Sequence, residues 1–335
     1  MIAPTIAVLG ATGSVGEALL ARLAESPLAG GEVSAYASRA TRRETVEFGT
    51  RALRVSPVAE AADSGPALVF SALPPAVAAR MIPTFVQRGS LVIDVGNASA
   101  GVFGGPLCAP SVRAPDLDQV AGAGGARTPG AVGWAIATLL APLLPLGAHS
   151  VSGLVNLPAN AFGRGGAEEL SEQVVASFNL KDPPRRIFAE GLAFDTLPED
   201  NEPGEWGARE LLAAEEVSQL TGLSAKRIAV QIATQPVFSG LTAGLYLRGV
   251  NDAEQGEAAL RGAEGLSTAV RLRTLRPRKV MGKGLVYWGG VRPDPSGDGV
   301  HVWIAADNVA GAGAAVPVAL AEILVNAGLT SRLEA

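Results

Sequence analysis

The stretch 5–20, "TIAVLGATGSVGEALL", decides the fold of this chain. It opens with a short apolar run of strand type, passes through a turn that holds three glycines, and ends in residues that are apolar at helical spacing. In such a βα unit Gly10 permits the tight turn, Gly13 lets a pyrophosphate approach the backbone, and Gly16 lets helix and strand pack closely. The stretch therefore predicts a dinucleotide site. The alternative is a purely structural glycine turn in an α/β domain.

The same turn supplies the donors that such a site needs. The free N–H groups of residues 12–15 would face phosphates at the positive end of the helix. The residues that the turn contributes to the predicted cofactor site are Gly10, Thr12, Gly13, Ser14 and Val15.

Further strands and helices alternate through the first 130 residues. "EVSAYAS" (32–38), "ALVFSAL" (67–73) and "LVIDVG" (91–96) read as strands, and 74–87 as a helix. Apolar strands that alternate with helices predict a parallel, doubly wound sheet of the Rossmann type. Nucleotides bind at the carboxyl edge of such sheets, which adds Ser71, Ala72 and Asn97 to the predicted site.

The end of the second strand favours NADP over NAD. An acidic residue there would bind the ribose 2′-hydroxyl of NAD, but this strand ends in Ser38 and Arg39, followed by Arg42 and Arg43. Arginine is suited to a 2′-phosphate. The alternative is that "SRATRRE" is an ordinary solvated charge cluster.

The pattern changes after about residue 148. "HSVSGLVNL" is strand-like, 165–179 reads as an amphipathic helix, and longer strands with turns follow. These predict an α+β domain with a mostly antiparallel sheet. We expect one domain over 131–311 and the dinucleotide-binding domain over 1–130 plus 312–335, because the last apolar helix is expected to pack back on the first domain.

Composition limits the possible classes of protein. Hydrophobic residues make up 48% of the 335 residues and the net charge is −5, so full cores are expected and nucleic acid or an anionic membrane is not an expected partner. One cysteine, Cys108, rules out an internal disulfide and fits a cytoplasmic location. The apolar run 131–148 is interrupted by prolines, so we expect a buried helix rather than a membrane span.

Nine segments in order resemble the aspartate-semialdehyde dehydrogenase family over nearly the whole chain. They are "IAVLGATGSVGEALL", "YASRATRR", "LVFSALPP", "GSLVIDVGNASA", "TPGAVGWAIATLLAPL", "NAFGRGGAEEL", "LAFDTLP", "QPVFSG" and "ADNVAGAGAA". The resemblance implies a two-domain homodimer, related to enzymes of amino-acid biosynthesis, that binds NADP. A bacterial source is expected from the composition, which is rich in Ala, Gly, Val and Leu. Such enzymes form a cysteine thioester with an aldehyde, pass a hydride to the cofactor and release an acyl phosphate.

The resemblance fails at the residues that this reaction needs. Where the family has its cysteine the chain has Ala131, and where it has the basic histidine the chain has Leu241. The other polar family positions are also altered. The substrate arginine, the glutamine, the phosphate-binding arginine and, less securely, a helix lysine align with Thr234, Leu157, Ala100 and Leu212.

Few polar candidates remain. Cys108 is expected to be buried, and neither histidine lies near a plausible nucleophile. Glu168 and Glu169 are expected on the solvated face of a helix. Family resemblance implies that Glu216 survives in the cleft, that Asn160 replaces a serine near the nicotinamide, and that Asn308 lies near the cofactor; Asp307 is expected to cap a helix. No cluster of metal ligands is evident.

The sequence thus predicts a homologue without aspartate-semialdehyde dehydrogenase activity, similar to the Usg-like proteins that lack the catalytic cysteine. One hypothesis is a pseudoenzyme that retains the fold, the dimer and NADP and acts through a protein partner or as a scaffold. The other is an NADP-dependent oxidoreductase that acts on an aldehyde or oxo group of an unknown small molecule without a thioester, since the cofactor carries hydride chemistry itself.

Overall fold

The computed structural model describes residues 4–38, 44–99, 101–200, 202, 204–269 and 271–330. Its strands, in chain order, are β1 (Thr5–Leu9), β2 (Glu32–Ala37), β3 (Thr45–Phe48), β4 (Arg51–Pro57), β5 (Leu68–Ser71), β6 (Leu91–Asp94), β7 (Gly125–Arg127), β8 (Ser150–Leu157), β9 (Leu197–Pro198), β10 (Ile228–Thr234), β11 (Leu241–Arg248), β12 (Leu266–Thr268), β13 (Val286–Pro293) and β14 (Gly299–Ala306).

The helices that accompany these strands are α1 (Ser14–Ala24), α2 (Pro75–Gln87), α3 (Leu117–Ala123), α4 (Ala131–Leu140), α5 (Gly163–Phe178), α6 (Ala208–Thr221), α7 (Ala253–Leu260), α8 (Pro277–Val280) and α9 (Val316–Asn326). A π-helical segment, Asn308–Ala315, precedes α9. The chain divides into two compact units, one formed by 1–131 with 312–335 and the other by 132–311.

The first unit contains a sheet of order β3-β4-β2-β1-β5-β6-β7. All neighbouring pairs are parallel except β3 and β4, which are antiparallel. The predicted parallel, doubly wound sheet is confirmed. Because β1 pairs with β2 on one side and with β5 on the other, the order reverses there, and the crevice for a ligand opens at the carboxyl ends of β1 and β5.

Helices cover both faces of this first sheet. On one face α1 and α9 pack with Leu20 and Leu324 against Ile6. On the other face α2 packs with Ile82 and Phe85 against alternate residues of the same strands. The alternation arises because successive side chains of a strand point to opposite faces. The expected packing of the last helix on the first domain is confirmed.

The second unit contains a sheet of order β12-β13-β14-β11-β8-β10-β9. Four of the six pairs among the described strands are antiparallel, whereas β8–β10 and β12–β13 are parallel. The prediction of a mostly antiparallel sheet is therefore confirmed. On β8 the side chains of Val151 and Val155 are buried, while Leu154 on the opposite face is 43% exposed.

The apolar run 131–148 forms a buried helix that ends where its prolines begin. α4 is buried over most of its length and ends at Leu140, and the 3₁₀ segment Ala141–Leu146 with Pro142 and Pro145 follows. Elsewhere, Asn308–Asn326 is long and apolar enough to cross a membrane, but 61% of its most apolar window is buried inside the protein, as in a core helix.

Candidate functional site

The glycine turn after β1 is held so close to its neighbours that two of its glycines admit no side chain. Gly10 has a φ of +80°, and a Cβ there would lie 2.4 Å from the carbonyl oxygen of Ala72. A Cβ on Gly16 would lie 2.2 Å from the oxygen of Gly10. Both contacts are with backbone, which cannot move aside cheaply. The turn therefore brings the ends of β1 and β5 together, as the crevice requires.

Gly13 differs from Gly10 and Gly16 because few atoms lie near the position that a Cβ would take. It is exposed, and a Cβ there would meet only the oxygen of Gly10, at 3.3 Å. The first hydrogen bond of α1 runs from the N–H of Glu17 to the oxygen of Gly13, at 2.9 Å. The N–H groups of Ser14, Val15 and Gly16 precede that bond and lie at the positive end of the helix. A cradle of this kind fits the pyrophosphate of a dinucleotide.

Two buried polar atoms lie side by side at the carboxyl edge of the first sheet. Ser71 and Asp94 are register partners on β5 and β6, and both are 0% exposed. Among the described residues, neither the Ser71 Oγ nor the Asp94 Oδ1 has a hydrogen-bond partner. Unpaired buried polar atoms are costly, and they accumulate at sites that bind ligands or water.

The other oxygen of Asp94 is fully engaged. Asp94 Oδ2 accepts from the backbone N–H of Ser99 at 2.8 Å and from its hydroxyl at 2.7 Å. Burial raises the pKa of Asp94, and the bonds from Ser99 and the charge of Arg127 offset only part of that effect. The loop after β6 is thereby fixed to the end of its own strand.

Asn97 is anchored by an arginine that the sequence did not single out. Its Oδ1 accepts from Arg127 Nη1 at 2.7 Å, while Arg127 Nε donates to the oxygen of Gly105 at 2.7 Å. Thr128 strengthens the same junction, because its Oγ1 accepts from the N–H of Gly96. Asn97 thus braces the loop after β6, and whether it also contacts a cofactor remains a prediction.

In the second unit, amide side chains form a hydrogen-bonded chain at one end of the sheet. The N–H of Gly240 donates to Asn308 Oδ1 at 3.1 Å, and Asn308 Nδ2 donates to Asn160 Oδ1 at 3.0 Å. Asn160 Nδ2 then donates to the hydroxyl oxygen of Ser239, at 3.0 Å. We call these four residues the amide relay. Next to it, Asp307 caps the π-helical segment by accepting from the N–H groups of residues 309 and 310, so the expected cap is confirmed.

The comparisons with known proteins agree on one family. Residues 5–120 match the model described as semialdehyde dehydrogenase, NAD binding domain. A USG-1 protein homolog from Azotobacter vinelandii is 30% identical over 336 residues, which covers 96% of this chain and 98% of that protein. The chain belongs to the aspartate-semialdehyde dehydrogenase family.

Two further relatives match the same share of the chain. An aspartate-semialdehyde dehydrogenase from Rickettsia bellii is 26% identical over 329 residues, covering 96% of this chain and 97% of that protein. The crystal structure of aspartate semialdehyde dehydrogenase II from Vibrio cholerae, complexed with ASA, has a TM-score of 0.90 at 24% identity, and the match covers 96% of this chain and 98% of that one. The first unit is accordingly the family's NAD(P)-binding domain.

Three of the positions where the family's polar residues were expected lie at strand ends in the second unit. Leu157 and Thr234 are register partners at the ends of β8 and β10, and Leu241 begins β11. All three are at most 5% exposed. Leu212 is half-buried on α6, and Ala131, in the first unit, is half-buried at the start of α4. Arg39, Arg42, Arg43 and Ala100 lie outside the described residues.

Glu216 is buried in the second unit, where α6 meets α4. It is 2% exposed, and a Cβ on Gly133 would lie 2.2 Å from its Oε2. Because Gly133 has no side chain, the carboxylate of Glu216 fits against its backbone. That Glu216 is a polar group of the cleft, as the resemblance implies, stays a prediction.

Cys108 is buried and His301 is paired with an aspartate. Cys108 is buried as expected, and burial raises the pKa of its thiol to about 11. His301 Nε2 lies 2.7 Å from Asp294 Oδ1 on the hairpin of β13 and β14. No group of three or more His, Cys, Asp and Glu side chains suited to a metal occurs within the part of the chain that the structure describes.

The expectation that Glu169 lies on a solvated helix face is wrong. Its side chain is 0% exposed and accepts hydrogen bonds from the N–H groups of Arg186, Ile187 and Phe188. Gln173, one turn later, accepts from the N–H groups of residues 192 and 193. The two side chains hold the segment 184–193 on α5. Glu168 is exposed, as expected.

Proposed function

We propose that this protein binds a dinucleotide but does not catalyse the aspartate-semialdehyde dehydrogenase reaction. One observation carries the proposal: the phosphate cradle at Gly13 is intact, whereas Ala131, Leu241 and Leu157 stand at the family's reactive positions. The reaction requires a thiolate, a base and cations for the anionic groups. A family fold without them serves as a nucleotide-responsive regulatory or scaffold protein.

We further propose NADP rather than NAD as the dinucleotide. The sequence after β2 supports this choice. Ser38 and Arg39 stand where an NAD-binding protein has the acidic residue that binds the ribose 2′-hydroxyl. The guanidinium of Arg39 would form a charge-assisted hydrogen bond to the 2′-phosphate.

A calorimetric titration tests both the binding of a dinucleotide and the preference for NADP. We expect NADP to bind more tightly than NAD, and Arg39→Ala to lower NADP affinity roughly 10-fold while leaving NAD affinity within about twofold, the effect of one charge-assisted bond. Gly13→Glu should abolish binding of both, because it places a carboxylate in the phosphate cradle. Gly30→Ala is the matched control, since a Cβ there meets nothing within 4 Å. Absence of binding at millimolar NADP and NAD would contradict the proposal.

A second candidate function is an oxidoreductase that works without a thioester. The buried carboxylate of Glu216 and the amide relay favour it, because they keep polar groups in the second unit although the family's reactive groups are replaced. It requires NADPH oxidation that depends on an added aldehyde or ketone. A panel of oxo compounds with NADPH separates it from the regulatory role.

We also propose a homodimer formed through the face of the second sheet that carries Leu154. Along each strand, side chains on this face alternate with side chains on the buried face. The face carries Leu154, which is exposed, and Tyr246 and Trp303, which are half-buried. The family resemblance supports a second subunit on such a face.

Light scattering after gel filtration tests the dimer. We expect about twice the chain mass of 34.0 kDa, and a shift toward the monomer in Leu154→Glu, because a charge would be buried in the interface. Ser224→Glu, at an exposed position outside the strands of the second sheet, serves as the charge control. A monomeric wild-type protein at micromolar concentration would contradict the dimer.

A further inference from the structure

The amide relay has a defined direction of donation. The N–H of Gly240 can only donate, so the atom of Asn308 that it meets is the oxygen, which leaves the Asn308 amide nitrogen to face Asn160. The same reasoning orients Asn160, whose nitrogen faces Ser239. The orientation of both amides therefore follows from one backbone donor.

The relay ends on a hydroxyl whose proton is free to donate. The oxygen of Ser239 accepts from Asn160, and the hydroxyl proton has no acceptor among the described residues. Ser239 is half-buried, so a ligand or solvent can reach it. Asn160 fills one of the two acceptor positions of the Ser239 oxygen and leaves the proton without an acceptor, so a ligand with an acceptor oxygen is the one that satisfies the hydroxyl.

The backbone around Ser239 is held on both sides. Ala159 N–H donates to the oxygen of Val237 at 2.7 Å, and Asn160 N–H donates to the oxygen of Phe238 at 3.1 Å. The loop between β10 and β11 is thus tied to the segment after β8. A hydroxyl placed by such contacts loses little further freedom when it binds.

Apolar side chains flank this hydroxyl in the chain. Phe238 is 51% exposed, and Leu241 is buried at the start of β11. Leu157 ends β8 beneath the same loop, because its oxygen accepts from the N–H of Gln235. Of these side chains Phe238 is the exposed one, so a ligand that reaches the hydroxyl meets an aromatic ring and one hydrogen-bond donor. An apolar molecule with an acceptor oxygen matches both groups.

We propose that Ser239 is a ligand-binding residue whose hydroxyl donates to the carbonyl or carboxylate oxygen of a small, largely apolar oxo compound. Asn160 and Asn308 are positioning residues that hold the hydroxyl as a donor. The inference goes beyond dinucleotide binding, since every residue that carries it belongs to the second unit.

Ligand-observed saturation-transfer NMR tests the inference with three probes of one shape. These are 4-methyl-2-oxopentanoate, 4-methyl-2-pentanone and 4-methylpentanoate, so the last two separate a carbonyl from a carboxylate as the acceptor. We expect Ser239→Ala to raise the dissociation constant of the bound probe about 2- to 12-fold, the effect of one hydrogen bond. Ser239→Thr keeps the hydroxyl and should stay within about twofold of wild type.

Two variants separate this role from a general loss of structure. Asn160→Ala should weaken the same probe, because the hydroxyl loses the group that orients it. Ser224→Ala should change nothing, since that serine is exposed and makes no capping hydrogen bond. The inference is overturned if Ser239→Ala leaves the dissociation constants unchanged, or if wild type binds none of the three probes. Titration of the same wild-type sample with NADP judges the dinucleotide proposal independently.

Discussion

Replacing Glu169 by alanine should lower the free energy of unfolding by about 3 to 5 kcal/mol, one of the two largest effects we expect. The carboxylate is fully buried and accepts from three consecutive backbone N–H groups, each at 2.9–3.0 Å. Alanine would leave these donors without an acceptor and release the segment 184–193 from α5. Equilibrium unfolding in urea, followed by circular dichroism, measures the change.

Neighbouring substitutions show whether burial causes the effect. Glu168→Ala removes an exposed carboxylate from the same helix and should change the free energy of unfolding by less than about 0.5 kcal/mol. Glu169→Gln keeps the shape and one acceptor oxygen, so an intermediate loss is expected. Equal losses for Glu168→Ala and Glu169→Ala would show that the buried bonds contribute nothing.

The same carboxylate predicts a dependence of stability on pH. Burial raises the pKa of Glu169, but the N–H groups of Phe188, Ile187 and Arg186 and the charge of Arg186 outweigh it, so the pKa lies below its usual 4.5. The stabilisation is therefore fully present above pH 4.5 and is lost as the pH falls through the folded-state pKa. Glu169→Gln should lack this part of the acid sensitivity, so the gap in unfolding free energy between it and wild type should narrow below pH 4.5.

The second large effect concerns catalysis: neither the wild-type protein nor Ala131→Cys should reduce NADP with aspartate semialdehyde and phosphate. We expect rates at least about 10⁴-fold below those of an active family member, because a nucleophile without its base and anion-binding groups recovers little of the reaction. Leu241 and Leu157 supply neither a proton acceptor nor an amide.

The aspartate-semialdehyde dehydrogenase from Rickettsia bellii serves as the positive control for this assay. Thermal unfolding of Ala131→Cys should match wild type within a few degrees, since the site at the start of α4 is half-buried and the substitution is small. Turnover by Ala131→Cys alone would show that the reaction does not need the base and anion-binding groups that are missing at the other positions. Turnover by wild type would refute the non-catalytic proposal.

Much of the fold could be predicted because local patterns and tertiary structure agree. The run "TIAVLGATGSVGEALL" contains both the strand and the glycines whose contacts leave no room for a Cβ, so the βα unit follows from the sequence. The strands β3 and β4 were not predicted. In β3 the buried Val46 and Phe48 alternate with exposed residues, but over only four positions, and the residues of β4 are exposed or half-buried, so the apolar signal of both strands is weak.

The site was less predictable because its side chains are placed by distant backbone. Glu169 has the helical spacing of a solvated residue, and only the path of the segment 184–193 buries it. Arg127 reaches Asn97 across 30 residues, and Asn308 reaches Asn160 across 148. Motif matching can point to Asn308 and Asn160, but no sequence spacing reveals that they bond to each other or that Ser239 ends the relay.

The burial of Cys108 has a practical consequence for experiments in solution. It is the only cysteine in the chain, and with a pKa of about 11 and almost no exposure it stays protonated and shielded at neutral pH. Cysteines introduced at exposed positions would then be the only sites that react with maleimides, one in each unit for a distance measurement. Pairs of fluorophores or spin labels could report distances between the two units directly, without first removing a native thiol.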